Sequence, residues 1–395
     1  MTGTRSYEFA RHLASKGHRV TMITSGQFND EFPVPEGRKY VELETEGFFV
    51  VPIAAAYNDP QIGSGMSSWR RMLNFYSFAN LAARVGRKLT KPDVVYATHT
   101  PLTIGLPGIA LGRYFNVPFV FEVRDLWPEA LVNVGGLKNP LVIWWLRRMA
   151  KKIYAEAKHI VALSPGMKEG IVRAGVPAER VTVIPNGSDL DLFRPDMDGS
   201  CWRDRLGLGE RFAAIYFGAM GLANGLQYVI EAARILAERG KDHIVIVLHG
   251  DGGKRPELEK MVRDYKLTNV IFNDLVPDKS EVARLVAGCQ VCLTIYRSAK
   301  ENTWSPNKMF DAFSSGKPVL VNVSGWLGEM VENNHCGRCL DPRRPDTLAD
   351  VLEELAADAK LCREMGSNAR ALAEREFDRS KLADRFESVL TEAVQ

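Results

Sequence analysis

Residues 305–321 read SPNKMFDAFSSGKPVLV, a helix followed by a short buried strand. Ser305 is a favourable N-cap, and Pro306 suits the first helical position, where its missing N–H costs nothing. Met309, Phe310 and Phe313 fall on one helical face, while Asn307 and Asp311 share another with Lys308 beside them. The apolar side is set to pack and the polar side to meet a ligand. A helix N-terminus carrying a lysine attracts an anion. Gly316 and Pro318 stop the helix, and Val319, Leu320 and Val321 suit a parallel strand covered on both faces. An ordinary amphipathic helix of an α/β domain satisfies the same pattern, so the surrounding chain has to decide between the two.

Upstream, strand and helix patterns alternate. A strand over 212–217 runs into the glycine turn of Gly218, Ala219, Met220 and Gly221, and a helix over 226–239 follows. A strand over 244–248 leads to a second turn, Gly250, Asp251, Gly252, Gly253 and Lys254, and then to a helix over 256–265. Strands over 270–272 and 291–295 flank a helix over 279–287. Strand, glycines and helix in repetition predict a doubly wound parallel sheet. Both turns stand where backbone N–H groups reach a diphosphate, yet neither is a dinucleotide fingerprint or a P-loop. Residues 189–210 turn polar and read as a linker.

The first half repeats the scheme less regularly. A helix from Tyr7 to Leu13 and a strand over 18–24 come without a strand before them, and a strand pair is expected within 42–53. Strands over 93–97, 117–123, 159–163 and 181–184 follow, with helices between them. Arg124 and Asp125 stand just past one strand's C-terminal end, where α/β proteins place their sites. Two helices are unusual. Residues 66–91 carry Leu73, Phe75, Tyr76, Phe78, Arg84, Arg87, Lys88 and Lys91 with no acidic residue between Asp59 and Asp93. Residues 141–157 set Trp144, Trp145 and Met149 against Arg147, Arg148, Lys151 and Lys152. Either fits a core helix with a solvated basic edge or a helix lying on an anionic membrane surface.

At 395 residues the chain exceeds one ordinary core, so two domains are expected, 1–188 and 189–377, with a helix over 378–395 packing back on the first. A hydrophobic content of 46%, a charged content of 25% and a net charge of +3 suit a soluble globular protein and argue against nucleic acid as a partner. No apolar run reaches membrane-span length and no signal peptide opens the chain, which points to the cytoplasm. The six cysteines form no secreted framework; Cys336 and Cys339 have redox-like spacing without the helix that such a motif opens. Asp189 and Asp191 read as turn-formers rather than metal ligands, and no metal site is expected.

Seven segments in order, GTRSYEFARHLASKGHRVTMITS, PDVVYATHTP, NVPFVFEVRDLWPEAL, VIPNGSDLDLF, YFGAMGLANGLQYVIEAA, HGDGGKRPEL and SPNKMFDAFSSGKPVL, resemble family 4 glycosyltransferases over nearly the whole chain. EVRDLWPE with SPNKMFDAFSSGKPV is similar to the WbuB-like subgroup of O-antigen and capsule enzymes. The resemblance implies the GT-B fold, two Rossmann-like domains facing a central cleft. It also implies a retaining, metal-independent transfer with no cofactor beyond a nucleotide-sugar donor, expected to be UDP-linked. The acceptor is expected to be a glycan or a polyprenyl-diphosphate-linked sugar at the inner face of the cytoplasmic membrane, with membrane-surface contact through 66–91 and 141–157.

Carried over residue by residue, the resemblance puts Asp311 on the ribose and Lys254 and Lys308 on the diphosphate. Gly218, Met220, Gly221, Asn224, Ser305 and Asn307 join them on the donor, with Val276 at the base. Arg124, Asp125 and Glu301 become catalytic candidates, and Gly3, Thr4, Arg5 and His99 the acceptor side. The chain departs from the family pattern at three places. Thr303 stands where relatives have the first of two glutamates, so that only a loop shift brings Glu301 in as its substitute. Asn224 stands where many carry a diphosphate lysine, and Arg124 stands for a histidine and stays protonated. Relatives also open with a strand and a Gly-Gly loop, inside which this chain begins; either its start lies upstream or the first domain lacks a central strand. Two other readings keep the fold: an epimerase or synthase with a soluble acceptor, and a non-catalytic subunit that needs a partner.

Overall fold

The computed structural model describes residues 4–26, 31–55, 68–133, 137–297 and 303–395. Gly3 and Glu301 therefore lie outside the described residues, as do residues 66 and 67 of the first basic helix. The chain forms two compact units, Met1–Pro185 with Ala383–Gln395, and Asn186–Leu382.

The first unit runs α1 (Arg5–Ser15), β1 (Thr21–Ser25), β2 (Leu43–Thr45), β3 (Phe48–Ile53), α2 (Ser68–Gly86), β4 (Val95–Thr98), α3 (Gly105–Phe115), β5 (Phe119–Val123), α4 (Glu129–Asn133), α5 (Pro140–Glu156), β6 (His159–Ala162), α6 (Pro165–Arg173) and β7 (Val181–Val183). Its strands fall into two sheets, β1-β3-β2 and the parallel β4-β5-β6-β7. The expected strand pair is the antiparallel hairpin of β2 and β3, with Leu43 opposite Val50. Strand β5 is buried at every position, as a central parallel strand should be. Helix α5 starts where Asn139 Oδ1 accepts from the N–H of Leu141 and Val142 at 3.0 and 3.3 Å, with Pro140 at its first position.

The second unit runs α7 (Ser200–Arg205), β8 (Phe212–Phe217), α8 (Gln227–Glu238), β9 (Ile244–His249), α9 (Arg255–Asp264), β10 (Val270–Asn273), α10 (Lys279–Ala287), β11 (Val291–Thr294), α11 (Asn307–Ser314), β12 (Val319–Val321), α12 (Trp326–Asn333), β13 (Gly337–Cys339), α13 (Pro345–Ala357), α14 (Ala359–Leu372) and α15 (Arg379–Val394). Its six strands are parallel in the order β10-β9-β8-β11-β12-β13. Ala213, Ile215 and Phe217 of β8 face the cluster that contains Met309, Phe310 and Phe313 of α11. Ala214 and Tyr216 face the opposite cluster, which holds Val229 and Leu236 of α8 and Leu352 of α13. The two-residue period of a strand therefore fills two cores at once. This is the GT-B plan of α/β units with parallel sheets, and strand order reverses between β8 and β11.

The stretch 189–210 is not the linker its polarity suggests. Phe193, Trp202 and Leu208 are buried, the last two in the second unit's core, so three large apolar residues outweigh the polar ones around them. Asp189 Oδ1 accepts from the N–H of Asp191 and Leu192 at 3.1 Å each, a turn-forming role. Helix α15 begins in the second unit and ends in the first, where Phe386 stacks on Phe9 at 5.0 Å and meets Tyr96 edge-on at 4.7 Å. Cys336 immediately precedes β13 and Cys339 ends it, both as free thiols.

Arg5, expected on the acceptor side, is instead a buried structural cation. Its Nε donates to Glu122 Oε1 at 2.8 Å, while its remaining nitrogens donate to the carbonyls of Pro185 and Ile184 at 2.6 and 2.9 Å. Glu122 is fully buried on β5 and also accepts from Thr98 Oγ1 at 2.5 Å. Burial pushes its carboxyl up, but Arg5, Arg124 and the hydrogen bonds from Thr98 and Tyr96 hold it below the usual value. We expect Arg5→Met to destabilise the first unit by about 3–5 kcal/mol in urea unfolding, because an uncompensated carboxylate stays buried. Arg5→Met combined with Glu122→Leu should recover most of that loss; no recovery would deny the pair this role.

Candidate functional site

Doubly wound sheets bind ligands at the C-terminal ends of their strands where strand order reverses. In the second unit this is the gap between β8 and β11. Tyr216, next to last in β8, donates its hydroxyl to the carbonyl of Ala219 at 2.6 Å, bracing the turn that follows. Lys308 reaches the same point from the first turn of α11, its Nζ 3.7 Å from the centroid of the Tyr216 ring. A Cβ at Gly218 would lie 3.0 Å from that Nζ. Lys308 has no ion-pair or hydrogen-bond partner among the described residues, and burial lowers its ammonium from 10.5 to about 7. A desolvated cation with only an aromatic face for company is poised for an anion.

The two glycine turns do not offer a row of free N–H groups. Gly218 N–H donates to the His249 carbonyl at 2.9 Å, Met220 N–H to Asp251 at 2.8 Å, and Lys254 N–H to Met220 at 2.9 Å. Added Cβ atoms would stand 2.1 Å from the Gly218 oxygen at Gly250 and 2.6 Å from the Met220 oxygen at Gly252. The glycines thus let two loops lie flat on each other, and each loop spends a donor on the other, Met220 N–H on Asp251 and Lys254 N–H on Met220. Gly221 N–H is taken by Asn224 Oδ1 at 3.2 Å, so Asn224 holds the turn. The N–H groups of Ala219 and Gly253 have no partner among the described residues. Lys254 is also engaged, paired with Glu257 at the surface, so its ammonium already has a counter-ion in this structure.

Ser305 does not cap α11. The helix starts at Asn307 with Pro306 as its N-cap, and Ser305 lies one residue outside. Its hydroxyl accepts from the Asn186 N–H at 2.9 Å, and its carbonyl accepts from Asn186 Nδ2 at 2.6 Å. Nor is the polar face of α11 an open one. Asn307 is exposed, but Asp311 is only 7% exposed, and its Oδ1 accepts from Ser188 Oγ at 2.7 Å. Burial raises the Asp311 carboxyl, opposed by Lys279, the Ser188 bond and Arg379. Ser188 is itself fixed, its N–H donating to Phe377 at 2.9 Å and its carbonyl accepting from Arg379 at 3.0 Å. Asn186 and Ser188 come from the VIPNGSD segment, which reads as a turn; the turn-forming residues hide that two of them brace the site.

Val276 is half-buried and packs on the same core cluster as Tyr296 and Trp304, whose rings stack at 4.1 Å and 2°. Asn322 holds Tyr296 in place, Oδ1 accepting from its N–H and Nδ2 donating to its carbonyl, both at 2.8 Å. The Tyr216, Asn186, Ser188 and Tyr296 contributions are missed by sequence reasoning, since only the fold brings them to the β8–β11 gap.

In the first unit Arg124 and Asp125 follow β5 and are half-buried; burial raises the Asp125 carboxyl while Arg124 opposes this. His99 sits after β4, 1% exposed, edge-on to Phe121 and Trp127 at 6.3 and 5.4 Å. Neither ring nitrogen has a partner among the described residues, and burial, helped by Arg124, lowers it to about 3, which keeps it neutral. His99, expected on the acceptor side, is thus an interior imidazole. Thr4 is exposed at the start of α1 without capping it. Among the described residues, no three histidine, cysteine or acidic side chains converge as metal ligands.

Residues 2–187 match the model of a glycosyl transferase 4-like domain, and residues 202–372 that of glycosyl transferases group 1. The chain is 25% identical to the putative colanic acid biosynthesis glycosyl transferase WcaI of Escherichia coli (strain K12), over 98% of this chain and 95% of that protein. Among solved structures it is similar to Anabaena HepE in complex with UDP, with a TM-score of 0.73 and 20% identity over 99% and 97% of the two chains. Sucrose-phosphate synthase from Thermosynechococcus elongatus superposes with a TM-score of 0.77 and 18% identity over 98% and 92%. With its two halves matching these two domains in order on a shared fold, the chain belongs to the family 4 glycosyltransferases of the GT-B fold.

Proposed function

We propose that the chain is a retaining, metal-independent transferase that moves a sugar, an N-acetylated hexosamine or a deoxyhexosamine, from a UDP-sugar. The acceptor in this reading is a polyprenyl-diphosphate-linked or other glycan in cell-surface polysaccharide synthesis, at the inner face of the cytoplasmic membrane. The observation that carries the donor half is the Lys308 ammonium, desolvated and without a counter-ion at the strand-order reversal. HepE, bound to UDP, and WcaI, named for colanic acid biosynthesis, lend support by kinship.

In this reading the diphosphate lies against Lys308 and the N–H groups of Ala219 and Gly253, with Asp311 on the ribose, braced by Ser188. Val276 and the Tyr296–Trp304 stack border the base. As the sugar–oxygen bond breaks, negative charge grows on the diphosphate, and a preorganised ammonium there stabilises the leaving group. Arg124 and Asp125 serve the acceptor side. The acceptor hydroxyl forms the new glycosidic bond on the face that the diphosphate leaves, and its proton departs with the UDP.

The charge on Lys308 sets two measurable outcomes. In the unliganded fold its value of about 7 lies below the unfolded 10.5, so between those pH values the unfolded chain binds the extra proton. Stability therefore rises with pH across that window, and Lys308→Met should flatten the rise and stabilise the chain most at or below pH 7. UDP in the site reverses the shift. At pH 8, titration calorimetry in buffers of different ionisation enthalpy should show proton uptake on UDP binding by the wild type and none by Lys308→Met.

The same variant should lose at least about tenfold in UDP affinity, equivalent to 1.4 kcal/mol or more, with uridine affinity unchanged. Equal UDP affinities would remove Lys308 from the donor site. For the reaction, UDP release with a lipid-linked acceptor should fall at least about a hundredfold in Asp311→Ala, and equal rates would sink the transferase assignment.

A further inference from the structure

Helices α2 and α5 enclose a groove of about 710 Å³ in the first unit, within the usual size range of small-molecule sites. Its floor and walls are Tyr76, Leu106, Met149 and the adjacent Trp144 and Trp145. Tyr76 and Trp145 meet at 5.9 Å, and the Tyr76 hydroxyl reaches Met149 Sδ at 4.0 Å, so the two helices are joined along the floor. The upper wall is left open, with Trp144 62% exposed and Trp145 37%. One rim is basic. Arg148, Lys151 and Lys152 are exposed within little more than one turn of α5, and none has an ion-pair partner among the described residues. The nearby acids are committed elsewhere, Glu129 to Arg147 and Glu156 to Arg113.

We propose that this groove seats one hydrocarbon chain that carries a diphosphate, the chain lying along Leu106, Met149 and the tryptophans and the diphosphate on Arg148, Lys151 and Lys152. The apolar floor suits an uncharged chain, and tryptophan at the mouth suits a boundary between hydrocarbon and water. Charge decides the head group. Three unpaired cations match a diphosphate, which keeps one negative charge on each phosphate even when esterified at both ends, whereas a membrane phosphodiester brings a single negative charge. The site deepens the reading of a lipid-linked acceptor and rests on it, but it needs nothing from the second unit's donor site.

The test is calorimetric titration of the full chain with geranylgeranyl diphosphate, kept below its aggregation threshold. Saturable one-to-one binding is expected, with geranylgeraniol and inorganic pyrophosphate each at least about tenfold weaker. Replacing Arg148, Lys151 and Lys152 together by serine, or filling the groove with Leu106→Trp, should weaken binding by a similar factor. The serine variant changes only exposed side chains, so it holds the test if the tryptophan variant misfolds. Unchanged binding in the serine variant, or affinity equal to that of pyrophosphate, overturns the proposal. So does retention on phosphatidylglycerol vesicles that geranylgeranyl diphosphate does not compete away. UDP titration of the same samples separates the two questions: retained UDP binding with a failed groove leaves the donor reading standing, and the converse leaves the groove.

Discussion

An ammonium partly withdrawn from water is costly unless something negative meets it, and among the described residues Lys308 meets only the face of Tyr216. The surrounding structure serves to keep it there. Tyr216 is buried near the end of a central strand, its hydroxyl tied to the turn beyond it. Helix α11, which carries the lysine, is anchored by Met309, Phe310 and Phe313 in the core and by Asp311 on Ser188. The segment before the helix is pinned through Ser305 to Asn186. A charge held by so many constraints cannot relax away from its position, which is what electrostatic preorganisation requires.

Much of this was legible in the sequence, and the reasons are physical. The second unit's strands announce themselves because a parallel strand buried on both faces is an uninterrupted apolar run, and glycine turns punctuate them. Helix α11 and its lysine follow from periodicity. What escaped was whatever depends on partners distant in sequence. Ser305 carries the residue type of an N-cap but spends its hydroxyl on Asn186, 119 residues away. Arg5 is a surface residue by type, yet a carboxylate 117 positions on draws it inside. The polar stretch 189–210 concealed Phe193, Trp202 and Leu208, since composition averages over the residues that fix the fold.

The first unit shows the same division between local and distant information. Its hairpin and its β5 strand were readable, while the burial of His99 was not. A histidine after a strand end has the look of a site residue. Here the rings of Phe121 and Trp127 enclose it and hold it neutral, so its chemistry is that of an uncharged imidazole in an apolar wall. Arg124 then carries the fixed positive charge of that strand end, with Asp125 as its acidic neighbour.

The paired glycine loops after β8 and β9 carry one more implication. With Gly250 and Gly252 laid directly on the backbone of Gly218 and Met220, the two turns have no side chains between them to act as a cushion. A side chain added at Gly250 or Gly252 would meet the backbone of the other turn, so neither loop can change in sequence there without displacing its neighbour. Variation in chemistry at this strand-order reversal must instead fall on side chains that border the paired turns, such as Lys308 beside Gly218.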